Sequence, residues 1–307
     1  MTVNRKAVPW IILGAAAVVA ILAWKPTVLI YGVQRAGLYA SVAIPMALVL
    51  GIVHIVNLAH GEIMMVSAYL TYNIARSIGL DPWLALLPVA LVMGIMGYFI
   101  FQLTIRHTLK APELNQLILT FGIAITMTQA ISLIFTPQTR KLPLSYVSMS
   151  ATIGETSFGV YDFVYVAIAL LMGFGIKWFL SNTRMGKAAV AVGQNPRGAA
   201  IVGIDVMKTY VFIFTVSVIL VGMTGSVFMT RQSIFPYVGS PYTMKSFSLV
   251  AMAGIGSISG IIYSSLLLGI AEAAINGIRG ASGWSGIVFF LIIIIVIAVR
   301  AYKGRKL

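Results

Sequence analysis

Long apolar runs separated by short polar connections make up almost the whole of this chain. They cover approximately 8–24, 28–53, 58–80, 83–105, 114–135, 160–180, 209–230, 246–276 and 284–301. Runs this long and continuous predict membrane-spanning helices, not the short alternating strands of a membrane barrel. The expected fold is all-α: a polytopic helical membrane protein with about 8–10 transmembrane segments, including broken or re-entrant helices. No polar domain or linker interrupts the pattern, so residues 1–307 read as a single transmembrane domain.

Two runs carry polar or glycine-rich breaks. Asn57-Leu58-Ala59-His60-Gly61-Glu62 places an amide, an imidazole and a carboxylate within a stretch of bilayer-spanning length. Ionisable side chains at that depth cost a few kcal/mol or more, so the segment is either a surface loop or lines something wet. The second break, Gly254-Ile255-Gly256-Ser257-Ile258-Ser259-Gly260, falls inside 246–276. That run is too long for one upright helix and too short for two full ones, which suits a half-helix that enters and returns. Proline is expected near helix ends at Pro82, Pro112, Pro137 and Pro241, while Pro45 is expected to interrupt the 28–53 helix.

Composition agrees with a membrane assignment. Hydrophobic residues form 60% of the chain and charged residues 9%, against roughly 25% charged in soluble domains. The net charge of +14 does not point to nucleic acid, because the basic residues lie at the ends of apolar runs. With no cysteine in the sequence, disulfides and thiol chemistry are excluded. The basic start, Arg5 and Lys6 before 8–24, reads as an uncleaved first span.

Lysine and arginine bias places the N-terminus, the 106–112 turn, the 182–208 connection and the C-terminus (Arg300, Lys303, Arg305 and Lys306) in the cytoplasm, and the 136–159 loop, with Glu155, outside. Nine full crossings would put the termini on opposite sides. One run must therefore fail to cross or cross twice, with the 57–62 break and 246–276 as the two candidates.

The polar residues at membrane depth can be read two ways. Asn57, His60, Gly61 and Glu62 either satisfy a broken backbone or line a translocation path. A stripe of Gln116, Thr120 and Thr128 is either interhelical glue or path lining. Ser265, Gly269, Glu272 and Asn276 share one helical face, and Gly254 and Gly256 suit close helix packing. The 182–208 connection is too long and polar for a simple turn. Met185–Val192 and Ala199–Val206 suggest two short amphipathic helices around Gly193-Gln194-Asn195-Pro196, forming a cytoplasmic hairpin that docks another protein or lies on anionic lipid. No Gly-x-x-x-x-Gly-Lys-Ser/Thr loop, His-Glu-x-x-His or other metal spacing occurs, so the chain is read as no enzyme and as needing no cofactor.

Together these motifs resemble a known family. Asn57 to Glu62 resembles the Asn-Phe-Ala-His-Gly-Glu signature of permease subunits of branched-chain amino acid ABC importers. Thr183-Arg184-Met185-Gly186-Lys187-Ala188, through Asn195 and Arg197 to Gly203-Ile204, resembles that family's cytoplasmic coupling segment. Ala253-Gly254-Ile255-Gly256-Ser257 with Gly260, followed by Leu268-Gly269-Ile270-Ala271-Glu272, resembles its Gly-Gly-Ile-Gly-Ser…Gly and Leu-Gly-x-x-Glu pattern. Leu58, Ala253 and Ser259 depart from the usual aromatic, Gly and Pro.

The resemblance implies an importer permease of a bacterial or archaeal cell (inner) membrane, passing a small polar solute such as a branched-chain or related amino acid. Implied partners are a second permease subunit, two ATP-binding subunits that hydrolyse the ATP, and a periplasmic or extracellular solute-binding protein. Arg184, Met185, Gly186, Lys187, Asn195, Arg197 and Gly203 would then couple to the ATPase. The competing expectation is an ion-coupled secondary transporter using Glu62 and Glu272.

Overall fold

The computed structural model describes residues 26–153, 156–278 and 280–304. The 8–24 run, Arg5, Lys6, Glu155, Arg305 and Lys306 lie outside the described residues. The helices are α1 (Pro26–Ile52), α2 (His60–Ile78), α3 (Pro82–Ile100), α4 (Glu113–Phe135), α5 (Phe163–Asn182), α6 (Arg184–Gln194), α7 (Pro196–Ile201), α8 (Val206–Arg231), α9 (Gly239–Ala253), α10 (Ile258–Asn276) and α11 (Ser285–Gly304). A π-helical turn, Phe101–Ile105, continues α3 to Thr108 and keeps Phe101 and Ile105 buried. Between α4 and α5 an antiparallel hairpin pairs β1 (Ser150–Ile153) with β2 (Thr156–Gly159). The protein is thus an all-α polytopic membrane protein. Six stretches, Thr27–Ile52, Pro82–Thr108, Glu113–Phe135, Phe163–Asn182, Val206–Arg231 and Ile258–Asn276, are long and apolar enough to cross a membrane.

Local chemistry sets the helix starts at the membrane ends. Asp81 accepts from the Trp83 amide at 2.9 Å with Pro82 in the first turn, where its missing N–H costs nothing. Thr183, Asn195, Asp205 and Ser257 each accept from the amide three residues on, the usual side-chain cap. At exposed Asp205 the hydrogen bond from the Lys208 amide holds the carboxyl below the ordinary aspartate range.

The end of the bundle that carries α6 and α7 also carries Arg106, Lys110, Arg184, Lys187, Arg197 and Lys208, and by the lysine and arginine bias it is the cytoplasmic end. The β-hairpin marks the opposite, outer end. There Gln34 near the start of α1 donates to the Gly159 carbonyl at 2.8 Å, and Arg231 at the end of α8 pairs with Asp162 at 2.9 Å.

From the outer end α1 runs to the cytoplasmic end. Residues 53–59 return as non-helical chain to the level of Val42, where α2 starts and continues outward. The second break mirrors this course. From the outer end of α8, residues 232–238 descend, pinned at Ile234 to Arg140, and α9 starts at mid-depth beside α2 and runs to the cytoplasmic end. Contacts are likewise exchanged between the halves: α1 packs on α10 as α8 packs on α3, and α1 packs on α9 as α8 packs on α2. The units α1–α3 and α8–α10 therefore form an inverted pair that meets where the two half-helices begin.

This arrangement corrects three expectations. Residues 246–276 are not one re-entrant half-helix: α9 begins at Gly239, before the apolar run, and α9 and α10 are two separate passes joined by a turn at Gly254 and Gly256, with φ of 92° and 75°. With that second pass, the described chain starts at the outer end with α1 and finishes at the cytoplasmic end with α11. Pro45 lies inside α1 without ending it. The second short helix of the 182–208 hairpin is Pro196–Ile201, earlier than the 199–206 expected, because Asn195 caps it and Gly203, at φ 86°, turns the chain into α8.

The meeting point is glycine on glycine. A Cβ on Gly239 would lie 2.5 Å from the Gly61 carbonyl oxygen, against backbone that cannot move aside. We expect Gly239→Ala to lower the unfolding midpoint of the detergent-solubilised chain sharply. Gly122→Ala, on open space in α4, should leave it unchanged or raise it slightly. Equal midpoints for the two variants would contradict the crossing.

Candidate functional site

Pro45 creates the first demand at the bundle centre. It has no N–H, so the Ser41 carbonyl four residues earlier in α1 loses its helical donor. The Thr224 hydroxyl of α8 lies 3.2 Å from that oxygen. Next to it, the Val42 carbonyl is met at 2.8 Å by His60 Nε2, and the Pro45 carbonyl accepts from Ser217 of α8 at 2.8 Å. A carbonyl can only accept, so Nε2 of His60 carries the proton. Three carbonyls around the proline are thus served by side chains of α2 and α8, and all three donors are buried.

The 53–59 break creates the second demand. Asn57 folds its side chain back, and its Oδ1 accepts from the Ala59 amide at 3.0 Å. The Val56 carbonyl accepts from Thr120 of α4 at 3.2 Å. At Ala59, α2 has no side-chain cap of its own. Its Gly61 amide donates instead to the Thr243 hydroxyl of α9 at 2.8 Å, and that hydroxyl lies 3.1 Å from Glu62 Oε2 as its donor. The Glu62 carboxylate therefore sits in the first turn of α2 and beside the first turn of α9, where both helix dipoles favour negative charge. On the two polar faces of α2, Glu62 and Tyr69 on one and His60, Ser67 and Thr71 on the other are buried in protein, while Asn73, further along the Glu62 face, is exposed.

The remaining sequence candidates are distributed elsewhere. Gln116 donates to the Thr108 and Ala111 carbonyls and holds the 106–112 turn. It also lines, with Gly254, His54, Glu113, Phe247 and Ile255, a cavity of about 400 Å³ at the cytoplasmic end. Gly256 faces Gly51 of α1 near the same end. Glu272 belongs to a separate cluster in the outer half. Arg35 donates to it at 2.7 Å and Lys245 at 3.1 Å, while the Tyr39 hydroxyl donates to its second oxygen. The Lys245 ammonium lies 4.4 Å from the Tyr39 ring centroid and 4.9 Å from that of Phe289, so both aromatic faces help hold the charge.

Sequence reasoning passed over Arg35, Tyr39, Thr243 and Lys245. Lys245 stands immediately before the 246–276 run, where a lysine has the look of a membrane-end residue. The available signal was the isolated cation itself, with no other charge nearby in sequence to make it a loop. Thr243 and Tyr39 carry no signal that separates them from ordinary helix residues.

The hairpin residues stand at the cytoplasmic surface. Gly186 packs on the backbone of Phe179 and Leu180, and Gly193 on Gly51 and Ile52 at the end of α1. Ala189, Val192 and Ala199 face inward, whereas Arg184, Met185, Lys187, Asn195, Arg197 and Gly203 face out. Ile201 and Val202 are 86% and 74% exposed.

The pairing of Thr224 with the proline-freed carbonyl can be tested by a double-mutant cycle. Thr224→Val is expected to cost about 1–3 kcal/mol in the native chain, the range for an orphaned buried acceptor. In a Pro45→Ala background the restored N–H serves Ser41, so the same change should cost clearly less. Denaturant titration in mixed micelles measures both, and simple additivity would refute the pairing.

Comparison with known proteins covers most of the chain. The family described as branched-chain amino acid transport system, permease component, matches residues 28–297. The high-affinity branched-chain amino acid transport system permease protein LivH of Escherichia coli (strain K12) is 26% identical over 282 residues, covering 87% of this chain and 91% of the relative. BraD of Pseudomonas aeruginosa, carrying the same description, is 26% identical over 283 residues, covering 88% and 92%. The fructose import permease protein FrcC of Rhizobium meliloti is 24% identical over 257 residues, covering 80% and 69%. No solved structure matches the chain. The matched region takes in both inverted units, their central breaks and the cytoplasmic hairpin, and the chain accordingly belongs to the family of permease components of branched-chain amino acid transport systems, multi-pass transport proteins of the cell membrane and not enzymes.

Proposed function

We propose that this chain is the permease subunit of an ATP-binding-cassette importer and forms part of the membrane path for a small polar solute, branched-chain or related amino acids first among them. The family match and the printed descriptions of LivH and BraD support the solute class. Its partners would be a second permease subunit, two ATP-binding subunits and an external solute-binding protein. The observation that carries the reading is the α6–α7 hairpin. It is braced against α5, α8 and the end of α1, yet presents Met185, Val190, Ile201 and Val202 bare at the cytoplasmic end. Apolar side chains clustered outside the membrane on a rigid helical knob suit a cleft in another protein. Closure of that cleft on ATP binding would be transmitted through Gly193 and Gly51 to α1, and through α1 to the central crossing.

The solute would pass along the open face of α9. Ser240, Met244 and Phe247 are exposed there, and Lys245 and Ser248 are half-buried. The face leads to the cytoplasmic cavity lined by Phe247, Ala251 and Gly254. Ion coupling through the two glutamates gains no support from this geometry. Glu272 is held by two cations and a phenol, and Glu62 has a hydroxyl donor and two helix N-termini.

Two outcomes follow. Ile201→Asp with Val202→Asp is expected to abolish co-purification of the ATP-binding subunits and solute-stimulated ATP hydrolysis, while the chain alone keeps its wild-type unfolding midpoint. An intact, stimulated complex would overturn the docking role. Uptake by the assembled importer should also be indifferent to dissipation of proton and sodium gradients while ATP is present; uptake that collapses with either gradient would restore the ion-coupled reading.

A further inference from the structure

Helices α3 and α8 press together at mid-depth, where a Cβ on Gly97 would lie 2.9 Å from Val218 and one on Gly222 2.7 Å from Met93. On the cytoplasmic side of that contact the two helices border a cavity of about 610 Å³. The π-helical turn that continues α3 buries Phe101 and Ile105, while Gln102 and Arg106 line the cavity. The rim is charged: Arg106, Asp205 and Lys208 stand there, all exposed. Lys208 and Asp205 pair at 3.3 Å, with side chains 84% and 49% exposed, and so wet a pair is weak enough for Lys208 to turn to another anion. Among the described residues no carboxylate pairs with Arg106; its guanidinium donates to the neutral amide oxygen of Gln102 at 3.2 Å. The rim therefore keeps one positive charge in excess. The floor is aromatic, with Tyr98 and Phe212 lining the same cavity. Tyr98 stands about two helical turns before Arg106, which places it about 12 Å deeper at 1.5 Å per residue. Both walls belong to stretches apolar enough to cross a membrane, Pro82–Thr108 and Val206–Arg231.

A soluble partner can cover the rim but does not reach a floor at membrane depth, and a free anion has nothing to offer the aromatic rings. A charged head joined to an apolar tail matches both. We propose that this cavity holds an anionic glycerophospholipid of the cytoplasmic leaflet, its phosphate on Arg106 and Lys208 and an acyl chain against Tyr98 and Phe212. That leaflet carries anionic lipid, and basic pockets between spans on this side suit its headgroups. The guanidinium and the ammonium give the phosphate charge-assisted hydrogen bonds. Because α3 and α8 come from opposite units of the inverted pair, the lipid fills a gap between the units and stabilises their junction. The site is independent of which solute the chain passes.

The test titrates the full chain, purified in a neutral maltoside detergent, with phosphatidylglycerol, with phosphatidylcholine of the same acyl chains, or with inorganic phosphate. Native mass spectrometry counts the retained lipid, and the unfolding midpoint is read in parallel. Phosphatidylglycerol should be retained at one tight site and raise the midpoint as that site fills, whereas phosphatidylcholine and inorganic phosphate should do neither. Arg106→Gln, at an exposed position with no ion pair to lose, should keep the wild-type midpoint in lipid-free detergent. It should bind phosphatidylglycerol about fivefold more weakly, the scale of one basic residue at an anionic lipid surface, and Lys208→Gln should weaken binding likewise. Lys110→Gln removes an exposed charge from the same end of the bundle but outside the cavity, and should bind as wild type. Equal losses in Arg106→Gln and Lys110→Gln, or no loss in either, would reduce the effect to general attraction between a basic surface and anionic lipid and overturn the site. Protection by inorganic phosphate equal to that by phosphatidylglycerol would overturn the lipid occupant. Loss of the ATP-binding subunits from Arg106→Gln with lipid retention unchanged would assign the rim to that partner instead.

Discussion

Backbone groups freed at membrane depth must find partners inside the protein, because the bilayer core offers none. Pro45 and the 53–59 break free several such groups in one place, and much of the helix arrangement answers that demand. Thr224 and Ser217 bring α8 against α1. His60 ties the start of α2 to α1, Thr120 ties α4 to the break, and Thr243 supplies from α9 the cap that α2 lacks. Each bond joins separate segments of the chain, so the price of an interrupted helix is met by tertiary contacts that also fix the packing. Glycine at 61 and 239 lets the two half-helices come close enough for this to work.

Most of the spans were legible in the sequence, because each shows a long apolar run with polar ends. The 57–62 break was legible for the opposite reason: no lipid-facing helix tolerates that cluster. What escaped was anything that depends on partners remote in sequence. Pro45 looks like a helix break until Thr224, more than a hundred residues away, is seen beside Ser41. The start of α9 was hidden because Ser240, Lys245, Ser246 and Ser248 dilute the apolar signal, and Lys245 imitates a membrane-end marker. Its compensation by Glu272 and two aromatic rings is a tertiary fact. Asn57, His60, Gly61, Glu62 and Thr120 do gather at one place, whereas Gln116 and Gly254 meet at the cytoplasmic end and Glu272 stands apart in the outer half.

The inverted relation of α1–α3 and α8–α10 gives these clusters a common frame. Each unit contributes one long helix, one half-helix starting at mid-depth and one further pass. The two units interlock well beyond the glycine crossing, α1 packing on α10 and α8 on α3, so the helices of each unit are braced mainly by the other. The cytoplasmic hairpin is joined to both units, to α1 through Gly193 and to α8 by packing and by the chain itself, so a push there would reach both.

The central claim is that the polar residues at the crossing are sealed and structural, while the opposite face of α9 is open. With no native cysteine in the chain, single-cysteine labelling separates the two faces directly. Thr243→Cys and Ser248→Cys lie on the same helix, one against Gly61 and one on the open face. In membrane vesicles, a small water-soluble thiol reagent should modify Ser248→Cys readily and leave Thr243→Cys unmodified. Comparable labelling of both would mean that water reaches the crossing, and the centre would then be part of the path.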